Sequence, residues 1–280
     1  MTKDTNKNID NKVIKDFGNE WSNYDQSTID KKELIKAFNQ YFEIFPKNIL
    51  NKNNEGFDMG CGSGRWSKLI APLVKKLNCI DPSYKALNVA KKNLINHKNV
   101  FFYNKGVNEI SLKPNSQDFG YCLGVLHHIT ETQKGIKSCY NLLKENSPFL
   151  IYLYYKFDNK PIWFKIIWKT SDYLRKFVSK LPFKIKKIVT YFIALIIYYP
   201  LSKIAKIFDR LGFNVNNFPL SYYRNKNFYF MATDSLDRFG TKLEKRFTKK
   251  EVEKMLLDAG FVEIKFSKNT PYWVALAWKK

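Results

Sequence analysis

The chain has 280 residues, enough for one large domain or one domain carrying an insertion. Apolar residues make up 45%, which excludes wholesale disorder. The 48 basic residues outnumber 25 acidic ones, and a charge of +23 invites nucleic-acid or anionic-membrane partners. Only six of the basic residues are Arg, the side chain suited to bidentate phosphate and guanine contacts. Lys, Asn, Ile, Phe and Tyr abound throughout, so a coding-DNA bias accounts for the charge equally well.

In chain order, "MTKDTNKNIDNK" is polar and lacks a signal-peptide apolar stretch, so residues 1–12 are expected to fray. "STIDKKELIKAFNQYFEIF" predicts a helix capped by Asp30, with Leu34, Phe38, Tyr41 and Phe42 on one face and Pro46 at its end. "GFDMG" reads as a buried strand, and "CGSGRWSKLIAPLV" as its turn and following helix. "KLNCIDPS", "NVFFYNKGV", "QDFGYCLGVLHHI" and "PFLIYLYYKF" predict four further strands, with helices at "YKALNVAKKNLINH" and roughly 131–145. This alternation predicts βαβ units and a doubly wound, mostly parallel seven-stranded sheet with helices on both faces.

The pattern breaks after residue 158. Residues 160–206 hold eleven basic residues, one acid (Asp172) and ten aromatics, and predict two or three helices broken near Pro182 and Pro200. Their uncharged run, Ile188 to Ser202, has 15 residues, whereas a membrane span needs ~20. A helical lid over the ligand edge of the sheet is the favoured reading, and a helix lying on a membrane surface the other. The sheet pattern resumes with "FTKKEVEKMLLDAGFVEIKF", where Thr248 and Glu251 form a capping box and Gly260 ends the helix, and "YWVALAWK" gives the last strand. The organisation expected is a core of 13–158 with 247–280, interrupted by a mainly helical insertion at 159–246. Cys61, Cys79, Cys122 and Cys139 form no CxxC pair and sit inside predicted elements, as buried free thiols of a reducing cytoplasm would.

The chemistry concentrates in "FDMGCGSGRW", residues 57–66. A dinucleotide fingerprint is GxGxxG; here Gly60, Gly62 and Gly64 alternate and Arg65 takes the third-glycine place. Asp58 would repel a pyrophosphate by several kcal/mol at short range. A phosphate-free zwitterion removes the conflict. S-adenosylmethionine is one: its ammonium can meet Asp58, and its carboxylate the helix N-terminus or Arg65. Asp81, ending the second strand, can accept two ribose hydroxyls.

On these residues the sequence resembles the class I S-adenosylmethionine-dependent methyltransferases, over residues 50–158 and, less closely, 247–280. The resemblance implies a Rossmann-like fold, S-adenosylmethionine as methyl donor with S-adenosylhomocysteine as product, and no metal. It gives cofactor roles to Asp58, Gly60, Cys61, Gly62, Gly64 and Arg65, to Asp81 and Pro82, and to Leu123 and Gly124 after the fourth strand. Gly106, Val107 and Asn108 stand near the adenine, although the acid usual there is missing at Gly106. Trp21 and Tyr24, in "FGNEWSNYDQ", become cofactor walls or staples of the first helix. His127 and His128 are the candidate general bases, or else shape the pocket.

The resemblance also bears on the acceptor. The Asn/Asp-Pro-Pro-aromatic motif of base-methylating relatives is absent after the fourth strand, where Leu123-Gly124-Val125-Leu126-His127 stands, so nucleic acid is disfavoured. A small molecule, sugar nucleotide or surface-glycan precursor is expected, anionic in character, with O- or N-methylation. A lipid head group methylated at the membrane surface, with contact through 160–206, is the alternative. A non-catalytic S-adenosylmethionine-binding module is another. Tyr222, Tyr223, Arg224, Asp234, Asp237 and Arg238 line a polar acceptor pocket or belong to an amphipathic cover.

Overall fold

The structure is a computed structural model and describes residues 8–25 and 30–280. The chain divides into two compact units, one running through Lys156 and resuming at Leu243–Lys280, the other Phe157–Lys242.

The first unit carries one seven-stranded sheet of order β3-β2-β1-β4-β5-β7-β6. Its strands are β1 (Glu55–Met59), β2 (Lys76–Ile80), β3 (Val100–Tyr103), β4 (Phe119–Leu123), β5 (Pro148–Tyr152), β6 (Phe261–Phe266) and β7 (Ala275–Lys279). The first five pair in parallel, while β7 is antiparallel to both β5 and β6. The central strands are buried on both faces and read as near-continuous apolar runs. One face packs Leu34 and Ala37 of α2 (Lys31–Tyr41) and Leu87, Ala90 and Leu94 of α4 (Tyr84–Asn93) and its end. The other packs Ile136, Cys139 and Leu142 of α5 (Thr132–Leu142) and Val252, Leu256 and Ala259 of α10 (Lys249–Ala259). Asp30 caps α2, Thr248 and Glu251 form the predicted box on α10, and Gly260 ends it at φ 102°. All four cysteines are free and buried.

Three expectations for the first unit change. The N-terminal stretch is ordered earlier than predicted. Residues 1–7 lie outside the described residues, but α1 (Asn11–Asn23) begins inside the expected tail, capped by Asp10. Asn8 is buried: its Oδ1 accepts the Glu131 N–H at 2.7 Å, and its Nδ2 donates to the Glu131 carbonyl and to Asn108 Oδ1, both at 2.8 Å. The helix after the glycine turn is short. α3 (Ser67–Ile70) gives way to a 3-10 turn at Ala71–Leu73, where Pro72 withdraws a donor. The return to the first unit comes at Leu243, because Leu243 and Lys245 bond His128 and His127.

The second unit is helical: α6 (Ile162–Val178), α7 (Phe183–Ile193), α8 (Tyr199–Arg210) and α9 (Phe228–Gly240). Pro182 separates α6 from α7 as predicted, but Pro200 breaks nothing. The turn Ala194–Tyr198 is π-helical and absorbs the missing donor, so one helix of 28 residues runs from Phe183 to Arg210. By length and composition that helix could cross a membrane.

Candidate functional site

The strand order reverses at β1: the chain moves outward through β2 and β3, then returns to β4 on the other side. Ligands of doubly wound sheets bind at the carboxyl ends of strands flanking such a point. The turn after β1 lies there. Gly60 has φ +76°, and a Cβ on it would stand 2.4 Å from Val125, so both the backbone region and the neighbour require glycine. Gly62 has φ +54°, and its Cβ would press on the Trp21 indole at 3.0 Å. Trp21 of α1 therefore covers the turn, while Val125, from the segment after β4, closes its other side. No sequence motif singles out Val125.

The turn is held from below. The Gly60 and Cys61 N–H groups donate to the Ile80 carbonyl at 2.7 and 3.0 Å. Asp81 Oδ2 accepts the Gly62 N–H at 3.0 Å, and its Oδ1 accepts that of Ser83 at 2.8 Å. Asp81 is thus a brace of the turn as well as the expected ribose partner; each oxygen keeps a second lone pair for a hydroxyl. Asn104, after β3, bridges the Asp81 and Pro82 carbonyls at 3.0 and 2.9 Å. No spacing rule singles Asn104 out, since its role depends on β3 lying beside β2.

Asp58 is 2% exposed, and its Oδ2 accepts the Ser67 hydroxyl at 2.5 Å. Its first partner is internal, at the start of α3. Burial raises its pKa to about 7, against the lowering effect of hydrogen bonds from Ser67 and Tyr121. Burial raises Asp81 to about 6, offset in part by the Ser83 and Gly62 N–H groups. Cys61 is pushed up as well, first by its hydrogen bond with Cys79 and then by burial. Ser63 is 1% exposed, and its Oγ has no protein partner among the described residues. Arg65 lies 4.2 Å from the Trp66 ring centroid and 5.9 Å from that of Trp21, so the expected carboxylate partner is stacked on aromatics. Two buried carboxyls of raised pKa beside a glycine-rich turn, with Ser63 Oγ unsatisfied among the described residues, form a polar set that a cationic ligand with hydroxyls would relieve.

Beyond β3, Gly106 N–H meets Glu109 at 3.3 Å, Val107 is buried, and Asn108 is tied to Ser138 at 2.7 Å. Leu123 ends β4, and Gly124 follows, its N–H on the Tyr152 carbonyl at 3.0 Å. Tyr24 is buried at the end of α1.

The two histidines separate. His127 is fully buried, stacked on Tyr154 at 3.8 Å, and its Nδ1 accepts the Tyr154 N–H at 3.3 Å. Burial first, then His128 and Arg246, lower its pKa well below the usual value. Its proton must sit on Nε2, so no ring lone pair is left to act as a base. His128 is the reverse: Nδ1 lies 2.7 Å from the Leu243 carbonyl, which can only accept, so the neutral ring keeps its lone pair on Nε2. Nearby, Arg246 meets Glu244 at 2.8 Å and the Tyr155 carbonyl at 3.2 Å.

Comparison with known proteins fits this geometry. Residues 57–151 match the family described as a methyltransferase domain. Residues 57–151 are a class I S-adenosylmethionine-dependent methyltransferase domain. This domain is 35% identical over 89 residues to a ubiquinone biosynthesis O-methyltransferase of Nitrosomonas europaea, covering 31% of this chain and 38% of that protein. The chain thus matches well under half the length of this curated relative. Two solved structures share the fold of the methyltransferase domain at a TM-score of 0.50. One, from Thermotoga maritima, is described as an S-adenosylmethionine-dependent methyltransferase, possibly for histamine; it is 14% identical and covers 96% of this chain and 100% of its own. The other is a phosphoethanolamine N-methyltransferase of Haemonchus contortus, 15% identical, covering 92% of this chain and 43% of its own.

Of the residues proposed from sequence for a polar acceptor pocket, Tyr223, Arg224, Asp234 and Arg238 are engaged by partners within the second unit. Tyr223 donates to Asp234 at 2.8 Å, Arg224 meets Asp209 at 2.9 Å, and Arg238 lies 3.7 Å from Asp172.

Proposed function

We propose that this chain transfers a methyl group from S-adenosylmethionine to an oxygen or nitrogen of a small molecule, sugar nucleotide or surface-glycan precursor. The observation that carries the reading is the glycine turn braced by Asp81 over the buried Asp58. The cofactor supplies an electrophilic methyl on a sulfonium. Asp81 would accept the ribose hydroxyls, the turn at Gly60, Cys61, Gly62 and Gly64 would take the methionine portion, and Trp21 would exclude water. Leu123 and Gly124 would flank the cofactor on the β4 side. Asp58 would act through Ser67 or through its field on the ammonium. In-line transfer draws on proximity and orientation, and His128, with its ring lone pair on Nε2, would take the acceptor's proton. The domain is read as cytoplasmic.

Calorimetry with S-adenosylmethionine tests this. Asp81→Ala should weaken binding about a hundredfold or more, since two hydrogen bonds to a charged group are worth about 1.5–3 kcal/mol each. Unchanged affinity would overturn the site. Binding should also weaken on acidification through pH 7 to 6. Asp58 and Asp81 take up protons there, and a neutral carboxyl neither attracts a cation nor accepts two hydroxyls. Labelled methyl transfer into a cell extract, with mass identification of the product, names the acceptor. Binding without any transfer would favour a non-catalytic module. With an acceptor in hand, His128→Gln should lower kcat by about 10²–10⁴ with little change in KM.

A lipid head group or lipid-linked acceptor is a second reading, favoured by the exposed apolar faces of α6, α7 and α8.

A further inference from the structure

We propose that the helical unit Phe157–Lys242 docks in the plane of an anionic lipid bilayer, through the exposed faces of α6 and of the continuous α7–α8 helix. Among the described residues, twenty of the twenty-six exposed large apolar side chains lie between Ile162 and Phe213. Ile162 is 76% exposed, and Phe177 and Ile196 are each 67% exposed. Soluble proteins scatter such residues singly and rarely gather them on adjacent helices.

The charge names the occupant. Residues 157–242 contain sixteen Lys and Arg against five Asp. Asp172 is already neutralised by Arg175 at 2.6 Å and Lys176 at 3.2 Å. Lys165, Lys169, Lys180 and Lys184 are exposed and interleave with the apolar positions. Apolar side chains rimmed by lysines match the acyl boundary and the anionic head groups of a lipid surface. A protein partner would not require this excess of charge.

Packing decides between lying and spanning. The opposite face of α7–α8 is committed to α9: Ser235 donates to the Thr190 carbonyl and Lys186 to the Gly240 carbonyl, both at 2.8 Å. A spanning helix would carry α9, with Asp234, Asp237 and Arg238, into hydrocarbon. The uncharged run Ile188–Ser202 is also about 22 Å long at 1.5 Å per residue, short of the ~30 Å core.

Vesicle flotation of the full chain tests the proposal without donor or acceptor, so its result does not depend on methyl transfer. Vesicles of phosphatidylcholine with phosphatidylglycerol should carry the protein at low salt, and phosphatidylcholine alone should not. Raising salt should release it. Lys180→Glu with Lys184→Glu should weaken binding about tenfold or more. Phe177→Asp with Ile196→Asp should abolish it while the melting temperature stays put. If that apolar pair unfolds the protein, the lysine pair, which lies outside the core, still decides. Lys186 is not used, because it is buried. No flotation on anionic vesicles would overturn the proposal. So would retention through an alkaline carbonate wash, which marks a spanning helix, or a stable dimer dissolved by Ile196→Asp, which would make a second copy the occupant.

Discussion

The two units solve the same problem in opposite ways. In the first, both faces of the sheet are covered, and even charge is taken inside: Glu244 and Arg246 form an ion pair 2% and 11% exposed. In the second, the helices bury a mixed seam, with Ile193, Met231 and Leu236 beside the hydrogen bonds of Ser235 and Lys186, and leave many further apolar side chains outward. A composition that looks uniform along the chain thus serves two solvents. The strong positive charge acquires meaning only where it borders exposed apolar helices.

The largest effect expected is at the buried pair. Arg246→Ala leaves Glu244 buried without its closest cation and should cost about 3–5 kcal/mol in urea unfolding. A cost below 1 kcal/mol would mean that the interior of the first unit tolerates charge as a surface does.

Next, one isoleucine from each unit makes the contrast direct. Ile136 is fully buried on α5, and Ile136→Ala should cost about 2–5 kcal/mol. Ile196 is 67% exposed, and Ile196→Ala should stay within about 0.5 kcal/mol. Equal costs would show that the apolar face of the second unit is covered in solution.

Asp58 offers a third test, in pH. Its folded pKa is raised from an ordinary 3.8 to about 7, so the folded state holds a proton that the unfolded chain has released. From Asp58 alone, the protein without ligand should therefore lose about 1.4 kcal/mol of stability per unit as pH rises from 4 to 7, and Asp81, raised to about 6, steepens the loss below pH 6. Asp58→Asn should flatten this slope in melts across that window. A slope as steep as in the parent would place the titrating group elsewhere.

Much of the first unit is legible in the sequence because its signals are local. Strand runs bounded by turns, the Thr248–Glu251 box and the alternating glycines each act within a few residues. The site is legible where the motif is contiguous, as at Gly60 to Gly64 and Asp81. It is hidden where a partner comes from far along the chain: Val125 against Gly60, Asn104 across two carbonyls, and Asn8 clasping Glu131. The histidines show the same limit. Sequence places both after β4, but only the Tyr154 N–H and the Leu243 carbonyl tell their tautomers apart. The π-helical turn before Pro200 escaped prediction because an extra residue in one turn leaves no compositional mark.

Helix capping gives a smaller effect. Thr248 accepts the Glu251 N–H at 3.2 Å, and the Glu251 carboxylate accepts the Thr248 N–H at 2.7 Å. Thr248→Ala should cost about 1 kcal/mol in thermal unfolding. It would loosen α10, the helix that covers the sheet near β6. No change would mean that packing of Val252 and Leu256 alone holds it.

The smallest effect belongs to the second unit. Arg224 and Asp209 meet at 2.9 Å, close to the 2.8 Å of Arg246 and Glu244, yet they are 30% and 41% exposed. Water screens the attraction, and two long side chains lose rotamer freedom to make it. Arg224→Ala should therefore cost no more than about 1 kcal/mol, and less as salt is raised. Set beside Arg246→Ala, the same deletion of a guanidinium from a close carboxylate differs several-fold for one reason, the water around it. If Arg224→Ala instead proved as costly as Arg246→Ala, the second unit would have a dry interior there, and its exposed apolar faces would call for a protein cover rather than a lipid one.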